Sequence, residues 1–475
     1  MRPDAAATSA ATPASAIPGI GWPAVPDARG AATLAILYQL EQTQWWPEHE
    51  IRRHQAGQLA QLIKHARRTV AFYRTRLSGI GNLETLDPTG EVWLGLPLLT
   101  RSDIQNAGDG LVTQSLPEGH GKTSVIYTAG STGRPIRAIR SELWGVFWSA
   151  FTVRDHLWHR RDFRGTLAAI RESGKGKDLY PEGTRTRHWG RSSGSIFATG
   201  PTVSLNIMTP IEQQMAWLQR ENPDYLLTHP TIAHRLAEHS LEHGLRLPKL
   251  KQIETISEIL RPATREICRA VWGVPIVDLY TTREAGYLAL QCPDHEHYHV
   301  QSEGVLIEVL DEQERPCGPG QFGRVVVTPL HNFAMPLIRY DIGDFAEVGA
   351  PCPCRRGLPV LKRIVGRKQN MLTMPWGEAR WPLLSSSNIG ALLSLAPIRQ
   401  YQFVQQTPQL IELRLAVAQP LTTAQEEAIK RWVQEKFGHP FDVALSYCEE
   451  IPLAPSGKFE DFVSMIGRSP SGDVS

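Results

Sequence analysis

Tyr127 to Pro135 reads YTAGSTGRP, a Gly/Ser/Thr loop that follows the apolar run Val125 to Tyr127. Backbone N–H groups and hydroxyls in such a loop can converge on phosphate oxygens, and Arg134 adds positive charge. The spacing is not GxxxxGK[ST], so this is no ordinary P-loop, and a cluster of this kind standing alone is more often a simple turn. A second constellation is CPDHEHYH, Cys292 to His299, followed much later by CPC, Cys352 to Cys354. His295, Glu296 and His299 satisfy HExxH, which on a helix would hold a protease zinc. Pro293 and the β-rich run after Val300 argue against a helix, and in a strand residues four apart are too far separated for that geometry. Cys292, His299, Cys352 and Cys354 suit a tetrahedral Cys₃His zinc site if the fold brings the two pairs together, with His297 as the alternative imidazole. The competing view is unlinked reduced cysteines and surface histidines.

Further segments follow in order. DLYTTREAG (278–286) places Tyr280 four residues before Glu284, and RYDIGD (339–344) ends in Asp344. IVGR (364–367) ends in Arg367, and PSGKF (455–459) presents Lys458 near the C-terminus. With the loop at 127–135, this ordered set resembles the core motifs of the adenylate-forming superfamily of acyl-CoA synthetases, peptide-synthetase adenylation domains and luciferases. LPLLTRSDI (96–104) and PLIRYDIGD (336–344) resemble its phenylacetate–CoA ligase and capsule-biosynthesis CapK-like branch. The likeness runs from about Trp45 to Phe462.

The resemblance implies an enzyme, an AMP-forming acid–CoA ligase, with ATP, Mg²⁺ and CoA as cofactors and co-substrate. Thr128, Ser131, Thr132 and Gly133 would hold the β- and γ-phosphates, and Tyr280 would lie by the adenine. Glu284 would ligate Mg²⁺ as a hard oxygen donor, Asp344 would accept from the ribose hydroxyls, and Arg367 would sit at a hinge near ribose and phosphate. Lys458 would stabilise charge developing at the α-phosphate as a carboxylate attacks, which is electrostatic catalysis. Cysteine-bearing segments like this one look structural in the branch, so zinc at Cys292, His299, Cys352 and Cys354 is expected to support the fold. His229 and the Ser257–Glu258 pair resemble segments that border the acyl and adenine pockets. The substrate would be a small carboxylic acid, aromatic acids among the candidates, the acceptor CoA or an amine, hydroxyl or carrier protein, and the assembly a homodimer. A degenerate, non-catalytic scaffold is the remaining alternative. Thr281 and Arg283 replace the usual small and hydroxyl neighbours of Glu284. Gln369 and Asn370 stand where acidic residues are common, and Leu453 where an arginine is often seen.

These residues need elements to position them. Leu59, Leu62, Ile63, Ala66 and Val70 recur at helical spacing between Pro47 and Arg76, which predicts an amphipathic helix. Strand-like runs such as Tyr225 to Leu227 and Pro275 to Leu279 alternate with helical stretches such as Ile211 to Gln219, the pattern of an α/β domain. Val305 to Leu310 and Gly323 to Leu330 read as a hairpin. Beyond Arg367 the order is strand (400–404), strand (411–417), helix (423–437, with Thr423 and Glu426 as capping box) and strand (443–448). The expected architecture is α/β: a disordered tail (1–30), a large multi-subdomain adenylation domain (31–367) and a small mobile α+β domain (368–475) carrying Lys458. Trp144, Trp148 and Trp158 are expected in the core.

Composition agrees with small-molecule chemistry. A chain of 475 residues exceeds one core, and 41% hydrophobic residues can supply several. Fifty basic against 48 acidic residues leave a net charge of +2, no footprint for nucleic acid or an anionic membrane. The longest apolar stretch, Leu143 to Val153, is too short to span a bilayer. The Ala/Pro/Ser-rich N-terminus lacks the regions of a signal peptide, so a cytoplasmic location with reduced cysteines is expected.

Overall fold

The computed structural model describes residues 13–128, 136–174, 176–367, 372–377, 379–380, 391–451 and 462–466. Ser131, Thr132, Gly133 and Lys458 lie outside the described residues. Of the expected tail, the described part is not free: Pro13 bridges Phe197, Ala14 N–H donates to the Ile196 carbonyl, and Ala28–Gly30 already belong to the first helix.

The longer helices are α1 (Ala28–Thr43), α2 (Glu48–Thr69), α3 (Glu142–Trp158), α4 (Ile211–Glu221), α5 (Pro230–His243), α6 (Pro262–Trp272) and α7 (Thr423–Phe437). In α2 the expected apolar stripe is realised, with Leu59, Leu62, Ile63 and Ala66 fully buried. Glu48 and Glu50 in its first turn and Arg67 and Arg68 in its last complement the helix dipole. The predicted helix stops at Thr69, and Val70 caps it in extended conformation.

A hairpin of β1 (Thr123–Thr128) and β2 (Ile136–Ser141) pairs Thr128 with Ile136, so it brackets the loop at 129–135. Twelve of the described strands share one sheet. Its first half holds β3 (Leu167–Arg171), β4 (Thr184–Thr186), β5 (Thr202–Asn206), β6 (Tyr225–Thr228), β7 (Gln252–Thr255) and β8 (Ile276–Thr282). Here β5, β3, β6, β7 and β8 run parallel, and a core of Leu226, Ile253, Met215 and Leu236 lies under α4, α5 and α6. Its second half holds β9 (Gly286–Gln291), β10 (Tyr298–Val300), β11 (Val305–Leu310), β12 (Phe322–Pro329), β13 (Tyr340–Val348) and β14 (Val360–Arg367), all antiparallel. The predicted hairpin is β11–β12. β8 is where pairing changes sense: parallel to β7, antiparallel to β9.

A separate core gathers Phe403, Ile411, Leu413, Trp432 and Phe462. It joins α7 to β17 (Ile398–Gln405), β18 (Leu410–Val417), β19 (Asp442–Tyr447) and β20 (Phe462–Ser464), preceded by the short pair β15 (Leu372–Thr373) and β16 (Ala379–Arg380). The expected strands and helix are all present. The capping box sits one residue earlier than expected: Thr422 caps α7 and exchanges hydrogen bonds with Gln425. Thr422 with Gln425 and Thr423 with Glu426 both satisfy the capping-box pattern, so the pattern by itself does not choose between them.

Candidate nucleotide and acyl site

Parallel strands deliver their C-terminal ends to one edge of a sheet, where ligands of open α/β folds bind at a change of topology. At that edge β3 is followed by Glu172, β6 by His229, β7 by Ser257 and Glu258, and β8 by Arg283 and Glu284. Glu284 lies in the turn between β8 and β9, half-buried. His229 Nδ1 lies 3.4 Å from Glu258 Oε1, and both side chains are buried. Burial pushes the Glu258 carboxyl up, but hydrogen bonds from His229 and from Thr231 outweigh it, so the acid is held below its ordinary range. Deeper in β8, Asp278 is pushed up to about 6 by burial, against hydrogen bonds from Thr255 and Tyr298.

The buried Tyr280 donates its hydroxyl to Asp344 Oδ2 at 2.9 Å. Asp344 in turn stands opposite Arg367 in the β13–β14 register. Asp344, 64 positions beyond Tyr280, thus reaches it although β14, β10 and β9 stand between β13 and β8 in the sheet order. Asp344 owes its placement to an anchor at the start of β13. Arg339 is fully buried in left-handed conformation (φ 51°), pairs with Glu308 at 3.0 Å, and donates to the carbonyls of Trp93, Leu94 and Leu96. Leu99 closes the unit, bonding the Arg339 carbonyl through its N–H and the Asp341 N–H through its carbonyl. The segments LPLLTRSDI and PLIRYDIGD are therefore two halves of one structural unit.

Of the expected core tryptophans, Trp158 is buried edge-on against His299. Trp144 is likewise buried and Trp148 half-buried, and both border a small cavity partly open to solvent, with Phe147, Tyr287 and His331 among its walls. His331 stacks on Phe147 at 3.8 Å, and burial lowers its pKa to about 4, so it lines the cavity as a neutral ring at pH 7. Ala285 and Gly286 complete the wall directly after Glu284. Gly286 has φ 92°, and a Cβ there would press on the Trp144 ring at 3.3 Å. Tyr287 and His331 were not singled out from the sequence; the aromatic spacing 144, 147, 148, 151 on one face of α3 was the available signal.

The cysteine and histidine residues also converge. Cys292 directly follows β9, β10 carries His299, and Cys352 and Cys354 lie on the connection from β13 to β14. His299 sits in a strand, which removes the HExxH helix. Cys292 Sγ lies 3.8 Å from Cys352 Sγ, and Cys354 Sγ lies 3.3 Å from His299 Nε2. Four ligands around a tetrahedral zinc have S···S edges of about 3.7 Å, so these separations fit the ion. The His299 Nδ1 faces the Leu358 carbonyl at 3.4 Å, which leaves Nε2 for a metal. His297 is a rival donor, since one of its ring nitrogens lies within 4.8 Å of the ligand atoms of Cys292, His299 and Cys352, a group that does not include Cys354.

Residues 383–465 match the family model of the CapK C-terminal domain. The chain is 26% identical over 403 residues to a phenylacetate–coenzyme A ligase of Thermus thermophilus, covering 81% of this chain and 85% of that one. It is 22% identical over 250 residues to the Staphylococcus aureus protein CapK, covering 51% of this chain and 53% of that one. The relatives and the family model place the chain's likeness in the phenylacetate–CoA ligase and CapK-like branch of the adenylate-forming superfamily. Its fold is that of this superfamily: a crystal structure of 2-hydroxyisobutyryl-CoA ligase with an acyl-AMP superposes with a TM-score of 0.68 at 19% identity, covering 88% of this chain and 90% of that one. Among the described residues no helix is long and apolar enough to cross a membrane.

Proposed function

We propose that this ligase uses ATP to convert a small carboxylic acid to an acyl-AMP, releasing pyrophosphate, and then transfers the acyl group to CoA. The observation that carries this reading is the convergence of Glu284 with the Tyr280–Asp344 pair and the Arg367 backbone at the point where the sheet changes sense. An aromatic-walled cavity opens directly beside Glu284, where an acyl group awaiting activation would lie. The relatives named as phenylacetate–coenzyme A ligases support an acid of this size and CoA as acceptor.

Tyr280 would pack beside the adenine while its hydroxyl holds Asp344 ready to accept from the ribose. Thr128, Ser131, Thr132 and Gly133 would bind the terminal phosphates, and Arg367 the ribose side. A magnesium ion held by Glu284 would neutralise charge on the phosphates. Lys458, from a C-terminal domain spanning 368–475, would reach the domain of residues 31–367 and supply a cation where negative charge grows as the carboxylate attacks. Zinc held by Cys292, Cys352, Cys354 and His299 or His297 would tie β9 and β10 to the β13–β14 connection and so brace the site's antiparallel side; its closed ligand set leaves no position for substrate. The balanced charge fits a cytoplasmic enzyme without nucleic-acid partners.

Transfer to an amine, hydroxyl or carrier protein is the second reading, favoured by the unusual segment 368–382, KQNMLTMPWGEARWP. A non-catalytic scaffold would not need Glu284, Asp344 and Lys458 together. Pyrophosphate release measured across a panel of carboxylic acids, with and without CoA, tests the proposal. Release that depends on one acid and yields its CoA thioester supports it; no release with any acid defeats it.

A further inference from the structure

At the rim of the aromatic cavity, β2 places Arg140 with its guanidinium 4.2 Å above the Trp144 ring. Its Nη1 donates to the Arg283 carbonyl at 3.4 Å, one peptide from Glu284. Its Nε is buried and has no hydrogen-bond partner. No carboxylate among the described residues lies within ion-pair distance of Arg140, whereas Arg283 reaches Glu172 at 3.5 Å with both side chains largely exposed. The Arg140 guanidinium is thus held against the Arg283 backbone, half-buried and without a counter-anion among the described residues. Burial and the nearby Arg283 both act against the charge of Arg140. Such an arrangement costs free energy in the free protein and is relieved when an anion arrives.

We infer that Arg140 and Arg283 form an oxyanion-binding pair at the mouth of the cavity, recognising a phosphate- or carboxylate-type group distinct from the carboxylate that reacts. The inference rests on the ligase reading for the identity of the two sources: the polyphosphate of the nucleotide, or a second acidic group on the organic acid. Geometry supports either. The Arg283 carbonyl that Arg140 touches belongs to the peptide leading into Glu284, and the Trp144 ring beneath the guanidinium is itself a cavity wall.

Calorimetric titration of the full chain tests this without turnover. The probes are inorganic pyrophosphate alone and, with AMP present, glutarate and butyrate. Arg140→Gln should weaken pyrophosphate or glutarate by about 10- to 100-fold, the scale of a hydrogen bond to a charged group, while AMP binds as before. Arg283→Gln should act in the same direction. Loss confined to pyrophosphate assigns the pair to the nucleotide, and loss confined to glutarate with butyrate unchanged assigns it to a diacid. Arg140→Lys keeps the charge and should retain much of the binding. Unchanged affinity for both anions in Arg140→Gln, no binding of either to the wild type, or AMP binding lost together with the anions overturns the assignment. Failure of the ligase reading would show separately, as absent pyrophosphate exchange with every acid while these titrations still respond to Arg140.

Discussion

Tyr280 and Asp344 are joined by a 2.9 Å hydrogen bond between β8 and β13, so the aromatic residue expected beside the base and the acid expected beneath the ribose form one element. Removing the hydroxyl should loosen Asp344 without emptying the site. In Tyr280→Phe the KM for ATP is expected to rise about 2- to 10-fold, the worth of one neutral hydrogen bond, with a smaller change in kcat. An unchanged KM would mean that this bond does not organise the nucleotide.

Lys458 is expected to act on the transition state. Lys458→Ala should slow adenylate formation by roughly 10²- to 10³-fold while ATP binding changes little. Single-turnover adenylation at the wild-type rate would remove the residue from the mechanism.

The thiol and imidazole cluster predicts metal. Purified protein should carry about one zinc per chain by elemental analysis, and Cys352→Ser should lower the melting temperature more than it alters chemistry. A metal-free preparation that is folded and active would falsify the structural role.

Glu258 makes a pH-dependent contribution to stability. Its folded pKa is depressed, so the stabilisation is present above the unfolded carboxylate value and fades as pH falls through the folded one. The wild type should therefore lose melting temperature below about pH 4.5 more steeply than Glu258→Gln. Parallel curves over that range would show that the His229–Glu258 contact carries no linkage.

Local signals were legible wherever a period or a turn specifies structure. The apolar stripe of α2, the β11–β12 hairpin and the alternation that yields the parallel strands depend on neighbours in sequence. The convergence of cysteine and histidine side chains from 292–299 and 352–354 was legible because few residue types bind zinc. What the sequence does not display is a juxtaposition made by topology. Arg140 meets Arg283 across 143 positions, and His331 stacks on Phe147 only because β12 ends beside α3. The Tyr280–Asp344 bond likewise joins residues 64 positions apart on strands that are not neighbours in the sheet, and neither motif displays it.

The last expectation concerns the acceptor. Gly377 lies exposed in the turn between β15 and β16, with φ 91°, and its N–H bonds the Met374 carbonyl. That conformation costs a glycine little and an L-residue about 1–3 kcal/mol, and no neighbouring atom lies where a Cβ would go. A large side chain at 377 would therefore strain the turn locally and project outward, away from the core of Phe403 and Trp432. If the C-terminal domain rotates after adenylation so that Lys458 leaves and this turn faces the acceptor, bulk at 377 obstructs only the second half-reaction. Gly377→Trp should keep acid-dependent pyrophosphate exchange and lose thioester formation, with Gly377→Ala as the control that carries the backbone strain without the bulk. Equal loss in both variants would assign the effect to the strained turn. Loss of exchange together with transfer in the Trp variant alone would place the turn at the first half-reaction and end the rotation model for this chain.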